Sequence, residues 1–410
     1  MQLASFLAKR IAFNNQHSFS RFIIRLATAA TALSVAAMII TLAFVNGFQY
    51  AVSNKIFNFW GHLRVQEYEP GKAIVAEETP LPPNDTALEI LHLFPQVKKV
   101  QAFATKSAVV EKNQEIEGVL FKGVEREYDF GNLKPFLKEG RFPTFNDTSY
   151  GKEILLSQPI ANELKIKVND SINVYFINEQ AGRASARRLK VCGIFKTGID
   201  EYDKLFAIGD IRLLRRVYNW ERDEIGGYEV FLNDPRKMDT VNTQLYEMLP
   251  QAWISRTIKQ IYPNIFDWLQ IQDVNRNVIF IVMSIVAIIN LVTCLLILIL
   301  ERTRMVGVLK ALGTRDWTIQ KIFLYHASII AGIGVIIGLV AGLGICILQQ
   351  QTGFIKMNEA AYYVSEAPVH IIWWEVVAVC FATLLVCFLS LIIPTLFVKT
   401  IRPVKAIQFR

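Results

Sequence analysis

The chain has 410 residues, of which 52% are hydrophobic and 20% charged, with a formal net charge of +8. A mean hydropathy of +0.30 is too high for an ordinary soluble protein, while the charge content requires a water-exposed part. The composition therefore predicts membrane spans joined to a soluble domain, with the basic excess at the membrane rim rather than on a nucleic-acid surface.

In chain order, residues 1–25 carry Leu3, Phe6, Leu7 and Ile11 at the spacing of a short cytoplasmic amphipathic helix on the membrane face. A first apolar run, 26–48, has no charge between Arg25 and Lys55. It exceeds the ~7–15 residues of a signal-peptide core and no A-x-A site follows, so it predicts an uncleaved span. Residues 49–275 then form a large mixed α+β domain. Phe48 to Phe59 predicts a helix continuing the span. His62 to Val65, Val100 to Phe103, Ala108 to Glu111 and Glu117 to Val124 predict strands, and Leu155 to Leu164 a helix. Strands Ser171 to Ile177 and Arg188 to Phe195 form a hairpin whose basic tip, Arg183, Arg187, Arg188 and Lys190, is expected to be solvated. So is the acidic turn Asp200, Glu201 and Asp203. Further strands fall at Leu205 to Ala207 and Tyr228 to Leu232, and helices at Asp210 to Tyr218, Pro235 to Met248 and 264–275. The alternation predicts two lobes, a β-rich one from 49–110 and 190–265 and an inserted α/β one.

A second span, 277–300, is 24 uncharged residues, ~36 Å of helix. The loop 301–321 follows, then a third span 322–348, a short outer loop 349–370, a fourth span 371–398 and a tail 399–410. Arg and Lys concentrate in 1–25, 301–321 and 399–410. By the positive-inside rule both termini and the 301–321 loop are cytoplasmic, and the large domain lies on the far side.

Several chemistries are missing from the sequence. There is no G-x-x-x-x-G-K-[S/T] phosphate loop, and His17, His62, His92, His326 and His370 fall in no zinc spacing. Only Cys192 lies in the large domain; Cys294, Cys346, Cys380 and Cys387 lie in spans and are expected to pack as small apolar residues. The first three spans carry no ionisable residue at their centres, which disfavours ion-coupled transport. Driving energy must then arrive from outside the chain. Met305, Val308, Leu309 and Leu312 form one stripe flanked by Arg304 and stopped by Gly313, a short helix suited to a partner's groove. Gly334, Gly338 and Gly342 repeat every four residues, the pattern of close helix packing.

The loop also carries a resemblance. Residues Glu301-Arg302-Thr303-Arg304-Met305-Val306-Gly307-Val308-Leu309-Lys310-Ala311-Leu312-Gly313 resemble the signature after the second span of FtsX-like, MacB-type ABC transporter permeases. The tail Arg402-Pro403-Val404-Lys405-Ala406-Ile407 is similar to the closing element of that superfamily. Within it, Asn46-Gly47-Phe48 and the run from Cys192 to Asp203 resemble the lipoprotein-releasing LolC/LolE permeases. Met305 and Gly307 depart from the family's usual loop. The resemblance implies four transmembrane helices with a MacB-like periplasmic domain between the first two, in the bacterial inner membrane. It implies a chain that is not an enzyme and binds no cofactor, ATP and Mg being held by a cytoplasmic ABC ATPase dimer docked on Arg304, Met305, Val308, Leu309, Leu312 and Gly313. A second permease subunit, a lipoprotein cargo, a periplasmic lipoprotein carrier and membrane lipid are the other implied partners. Two further members of the superfamily offer alternatives: a MacB-like exporter of peptide, toxin or drug, and an FtsX-type regulator of a cell-wall hydrolase. For the cargo cleft the expectation is a pair of apolar faces, Met38, Leu42, Val45 and Phe48 on span one and Ile285, Ile289 and Val292 on span two.

Overall fold

The computed structural model describes residues 19–68, 78–82, 85–145, 149–178 and 183–395. Leu3, Phe6, Leu7 and Ile11 and the tail 399–410 lie outside the described residues. Among the described residues two compact units emerge: one within 51–267 with 357–365, and one of 19–50 with 268–356 and 366–395.

Helix α1, Phe19–Trp60, is 42 residues long. Its Ala-rich sequence and lack of proline favour a helix throughout. It stops where Gly61 adopts the left-handed conformation (φ 74°) and its N–H returns to the Phe57 carbonyl at 2.9 Å.

The body of the first unit is a ten-stranded sheet. Strand β1 (Leu63–Glu67) and helix α2 (Asp85–Leu93) precede β2 (Val97–Lys112) and β3 (Glu115–Val124). The β2–β3 hairpin turns at Asn113 and Gln114, both at positive φ (53° and 69°), as a tight hairpin with the twist of its strands requires. Next come β4 (Leu137–Gly140), β5 (Glu153–Ser157), α3 (Gln158–Glu163), β6 (Ser171–Asn178) and β7 (Arg183–Phe195). Then follow α4 (Asp200–Asp203), β8 (Phe206–Asp210), α5 (Ile211–Tyr218), β9 (Gly227–Leu232), α6 (Met238–Met248), β10 (Trp253–Thr257) and α7 (Ile258–Ile261). The spatial order is β10-β1-β9-β2-β3-β8-β5-β7-β4, with β6 against β2 and β7. Among the described strands, β3–β8 and β5–β7 are the parallel pairs.

Three local expectations change here. The segment 155–164 is not one helix: β5 ends at Ser157, whose hydroxyl accepts the Ile160 N–H, and Pro159 fits the first turn of α3. The apolar run on both sides of Ser157 hides this switch. The two strands expected in 100–111 are one 16-residue strand, β2. Because β2 and β3 carry the sheet from β9 across to β8, the two expected lobes share one sheet.

The second unit contains the apolar helices. Beside α1 stand α8 (Pro263–Glu301), α10 (Asp316–Thr352) and α12 (Trp373–Thr395), with the short α9 (Thr303–Ala311) between α8 and α10. These four long helices are long and apolar enough to cross a membrane. Between α10 and α12 the one-turn helix α11 (Glu359–Tyr362) belongs to the β-sheet unit. Of the apolar window of α1, 56% is buried, against 28% for α8 and 22% for α12, so α1 is the helix around which the others pack.

Candidate transport and coupling sites

The loop helix α9 ends in a Schellman motif: Gly313 N–H bonds to Lys310 O and Thr314 N–H to Leu309 O, both at 3.0 Å, with Gly313 at φ 82°. The stripe Met305, Val308, Leu309 and Leu312 does not stay on one free face. Met305 and Leu309 are partly buried and pack on a core of Leu298, Ile299, Val306 and Ile319. Val308 and Leu312 remain exposed, at 45% and 77%, joined by Trp317 at 59% and exposed Arg304. A helix this short, tethered at both ends, has to bury one side against its own bundle. Arg304, Val308, Leu312 and Trp317 thus lie among the exposed residues of this loop.

The two faces expected to line a cargo cleft are unlike each other. Met38, Leu42, Val45 and Phe48 are all buried within the helical unit, Met38 and Leu42 in a cluster with Val35, Ile39, Val335 and Val376. Phe48 stands edge-on to Trp268 with centroids 5.0 Å apart. The span-one face is thus a packing core and not an open wall, because residues of α8, α10 and α12 pack on it. On α8, Ile285 and Ile289 are exposed and Val292 half-buried, continuous with exposed Val278, Ile281, Val282 and Val286.

Gly334, Gly338 and Gly342 face α1. A Cβ on Gly338 would stand 2.5 Å from Ala32 O and 2.8 Å from Val35 Cβ. On Gly342 it would meet Ala36 Cα and Ile39 Cβ at 3.2 Å, and on Gly334 the Thr31 side chain at 2.9 Å. Small residues on both helices permit this approach. The Asn46-Gly47-Phe48 motif closes the same helix end. Asn46 Nδ2 donates to Glu375 Oε2 at 2.6 Å, His370 N–H donates to Ala43 O at 2.9 Å, and any Cβ on Gly47 would collide with Pro368. The motif lets the chain entering α12 lie directly on α1.

Two polar constellations in the β-sheet unit escaped the sequence reading. The first is a buried charge network at the end of α1. Lys122 forms an ion pair with Glu229 at 2.5 Å, both fully buried, and donates to Phe59 O at 2.9 Å, a cation on the helix C-terminus. Arg64 pairs with Glu78, and its guanidinium lies 4.6 Å from the Trp60 and Phe103 ring centroids. Burial pushes the Lys122 ammonium below its ordinary value and the Glu229 carboxyl above. A lone Lys and a lone Glu inside otherwise apolar strands are the signal that marked them.

The second constellation binds the loop between α10 and α12. Glu359 pairs with Lys196 and lies 3.9 Å from Lys55, whose Nζ donates to Tyr363 O at 2.6 Å. The Tyr363 hydroxyl donates to Glu201 Oε1 at 3.0 Å, and burial with that carboxylate pushes the phenol up to about 12. The turn expected to be solvated is only partly so. Asp203 is buried and accepts the Thr197 and Gly198 N–H groups at 2.8 Å, which holds the 197–203 loop in shape; burial raises its carboxyl above the ordinary range. Nearby Cys192 is buried, with its thiol pushed up to about 12 by burial. Among the described residues no three His, Cys, Asp or Glu side chains gather as a metal site.

Comparison with known proteins follows the same division. The MacB-like periplasmic core domain matches residues 26–247, more than half of the chain, and the FtsX-like permease C-terminal domain matches 277–403. The lipoprotein-releasing system transmembrane protein LolE of Haemophilus influenzae is 23% identical, over 92% of this chain and 92% of its own. LolC of Neisseria meningitidis serogroup B is 23% identical over 96% of each chain, and LolC of Haemophilus influenzae 21% over 95% of this chain and 94% of its own. With one model over the sheet unit and the other over the last three long helices, the chain belongs to the family of FtsX-like permeases with a MacB-like periplasmic core.

Proposed function

We propose that this chain is a permease subunit of an ABC transporter that lifts lipoproteins out of the inner membrane and hands them to a periplasmic carrier. The observation that supports the reading is end-to-end similarity: relatives named for lipoprotein release match over 92–96% of the chain and 92–96% of their own length. The chain is not the ATPase; a separate cytoplasmic ABC ATPase dimer holds ATP and Mg and docks on the exposed side of α9, with both chain termini on that side. A second permease subunit completes the pair. The apolar face of α8 from Val278 to Ile289 is the part of the cleft that acyl chains can reach, while the α1 face supports it from behind. Transferring an acyl chain from lipid to such a face gains almost nothing, so ATP-driven closure supplies the work.

The test is release of a triacylated lipoprotein from proteoliposomes holding the chain, its partner permease and the ATPase. Leu312→Asp is expected to lose most co-purified ATPase, since a desolvated carboxylate costs several kcal/mol against a micromolar contact of roughly 8 kcal/mol. Ile289→Asp is expected to keep the ATPase and lose release. ATP-dependent release that ignores both substitutions would refute the assignment of both surfaces, and absence of any lipoprotein release would refute the function.

A further inference from the structure

The sheet unit holds a polar cavity of about 220 Å3 beside the outer part of α1. Its lining includes Asn54 and Asn58 of α1, His62, Lys98 and Lys99 of β2, Asp129 and Asn132. The apolar run that ends at Phe48 continues as the same helix, so Asn54 stands about 9 Å further along its axis.

Cationic side chains outnumber anionic ones in this lining. Asp129 is already engaged: its carboxylate accepts the Gly131 N–H at 2.8 Å and pairs with Lys99 at 2.8 Å. Lys98 is exposed and makes no ion pair among the described residues. Two ammonium groups thus face one carboxylate, and one positive charge is left over. His62 Nδ1 accepts the Leu232 N–H at 3.0 Å, which fixes the ring proton on Nε2 and makes the imidazole a donor. Burial and Lys98 hold that imidazole neutral, with its value lowered to about 4. The amides of Asn54, Asn58 and Asn132 add neutral donors. We infer that this cavity is a binding site for a phosphate-type oxyanion, with Lys98 as its charged contact and His62 and the asparagine amides as its hydrogen-bond donors. A phospholipid headgroup and free phosphate present the same oxygens, and the cavity accepts either by chemistry. The inference does not depend on which cargo the permease carries.

The experiment uses the full-length purified chain. Inorganic phosphate binding is measured by calorimetry, and lipid retention by native mass spectrometry after reconstitution in phosphatidylglycerol or in phosphatidylcholine. Lys98→Gln, a change at an exposed residue, is expected to weaken binding at least 10-fold; Lys152→Gln, an exposed lysine elsewhere on the same unit, is expected to leave it unchanged. Retention of phosphatidylglycerol that Lys98→Gln abolishes, without measurable phosphate binding, supports the site with lipid as its source. Phosphate binding that Lys98→Gln abolishes, without lipid preference, supports it with free phosphate as its source. Binding of neither, or equal loss in Lys98→Gln and Lys152→Gln, overturns the inference.

Discussion

Where α10 crosses α1, the helical unit closes its interior by omitting side chains: Gly334, Gly338 and Gly342 sit against Thr31, Ala32, Val35, Ala36 and Ile39 with no room for a Cβ. At the end of α1 the sheet unit does the reverse and closes around full charges, Lys122 with Glu229 and Arg64 with Glu78, capped by Phe59, Trp60 and Phe103. The contrast follows from the solvent that each chain segment meets before it packs. Between spans in lipid, apolar burial gains little, so helices associate through close contact. In water, a ten-stranded sheet has apolar area enough to carry the desolvation cost of a few paired charges. The same helix therefore obeys two packing rules along its length.

The largest expected effect tests the charged interior. Lys122→Met leaves Glu229 uncompensated and is expected to cost ~3–5 kcal/mol. Lys122→Met combined with Glu229→Leu is expected to recover most of that loss, since a buried pair replaced by apolar residues is often neutral. Chemical denaturation followed by Trp fluorescence reads both. A double variant as damaged as the single one would mean that the bond from Lys122 to Phe59 O, and not the pair, holds the helix end.

Next comes the neutral polar group in the same unit. His62 has its value lowered from 6.5 to about 4 by burial and by Lys98. An unfolded chain takes up the proton near 6.5 and the folded one resists it until about 4. The stability from a neutral His62 is thus fully present above pH 6.5 and falls by up to about 3 kcal/mol as the pH drops to 4. Thermal unfolding across that window, compared with His62→Asn, measures it; equal slopes in both proteins would remove His62 from the account.

Much of this architecture could be read from residues. The four apolar runs and the strands expected at 62–65, 171–177, 188–195 and 228–232 follow from hydropathy and alternation, and each overlaps an observed element. What packs on the apolar faces does not follow. The Met38, Leu42, Val45 stripe and the Ile285, Ile289 stripe look equivalent in sequence, yet the first is core and the second is free. The difference lies in what packs on each: α10 approaches α1 through its glycines, and Phe280 and Met283 of α8 pack on that same α1 face, while Ile285 and Ile289 point away from it. Likewise Asp203 is indistinguishable from Asp200 in an acidic run until the 197–203 backbone wraps its carboxylate.

A single methyl group tests the glycine rule. Gly338→Ala would put a Cβ 2.5 Å from Ala32 O and is expected to cost ~1–3 kcal/mol, as overpacking does. Gly344→Ala, on the same helix with nothing within 4 Å, is expected to stay within about 0.5 kcal/mol. Steric-trap unfolding in bicelles compares them, and equal costs would show that helix flexibility, not close approach, explains the glycines.

The smallest effect concerns the clasp on the loop between α10 and α12. Glu359 and its partners Lys55 and Lys196 are all about a quarter exposed, so solvent screens the contact and Glu359→Gln is expected to cost only ~0.5–1 kcal/mol. A global melt will barely register that. The local consequence is expected to be larger in segment 357–365, whose other ties include the Met357 N–H to Ser365 O at 2.9 Å, the Lys55 bond to Tyr363 O and the Tyr363 hydroxyl on Glu201. With Glu359 neutral, Lys55 and Lys196 lose their carboxylate while the Tyr363 contacts stay. Amide exchange at Tyr363 and Met357 is expected to accelerate about 2- to 5-fold, the factor that ~0.5–1 kcal/mol of local opening represents. Glu359→Gln combined with Tyr363→Phe also removes the bond to Glu201 and is expected to accelerate it further. The strands on either side, β7 and β8, are expected to keep their protection in both variants. Unchanged exchange across 357–365 in the double variant would mean that neither the charges around Glu359 nor the Tyr363 hydroxyl seats this loop, and that the Lys55 bond to Tyr363 O and the backbone hold it instead.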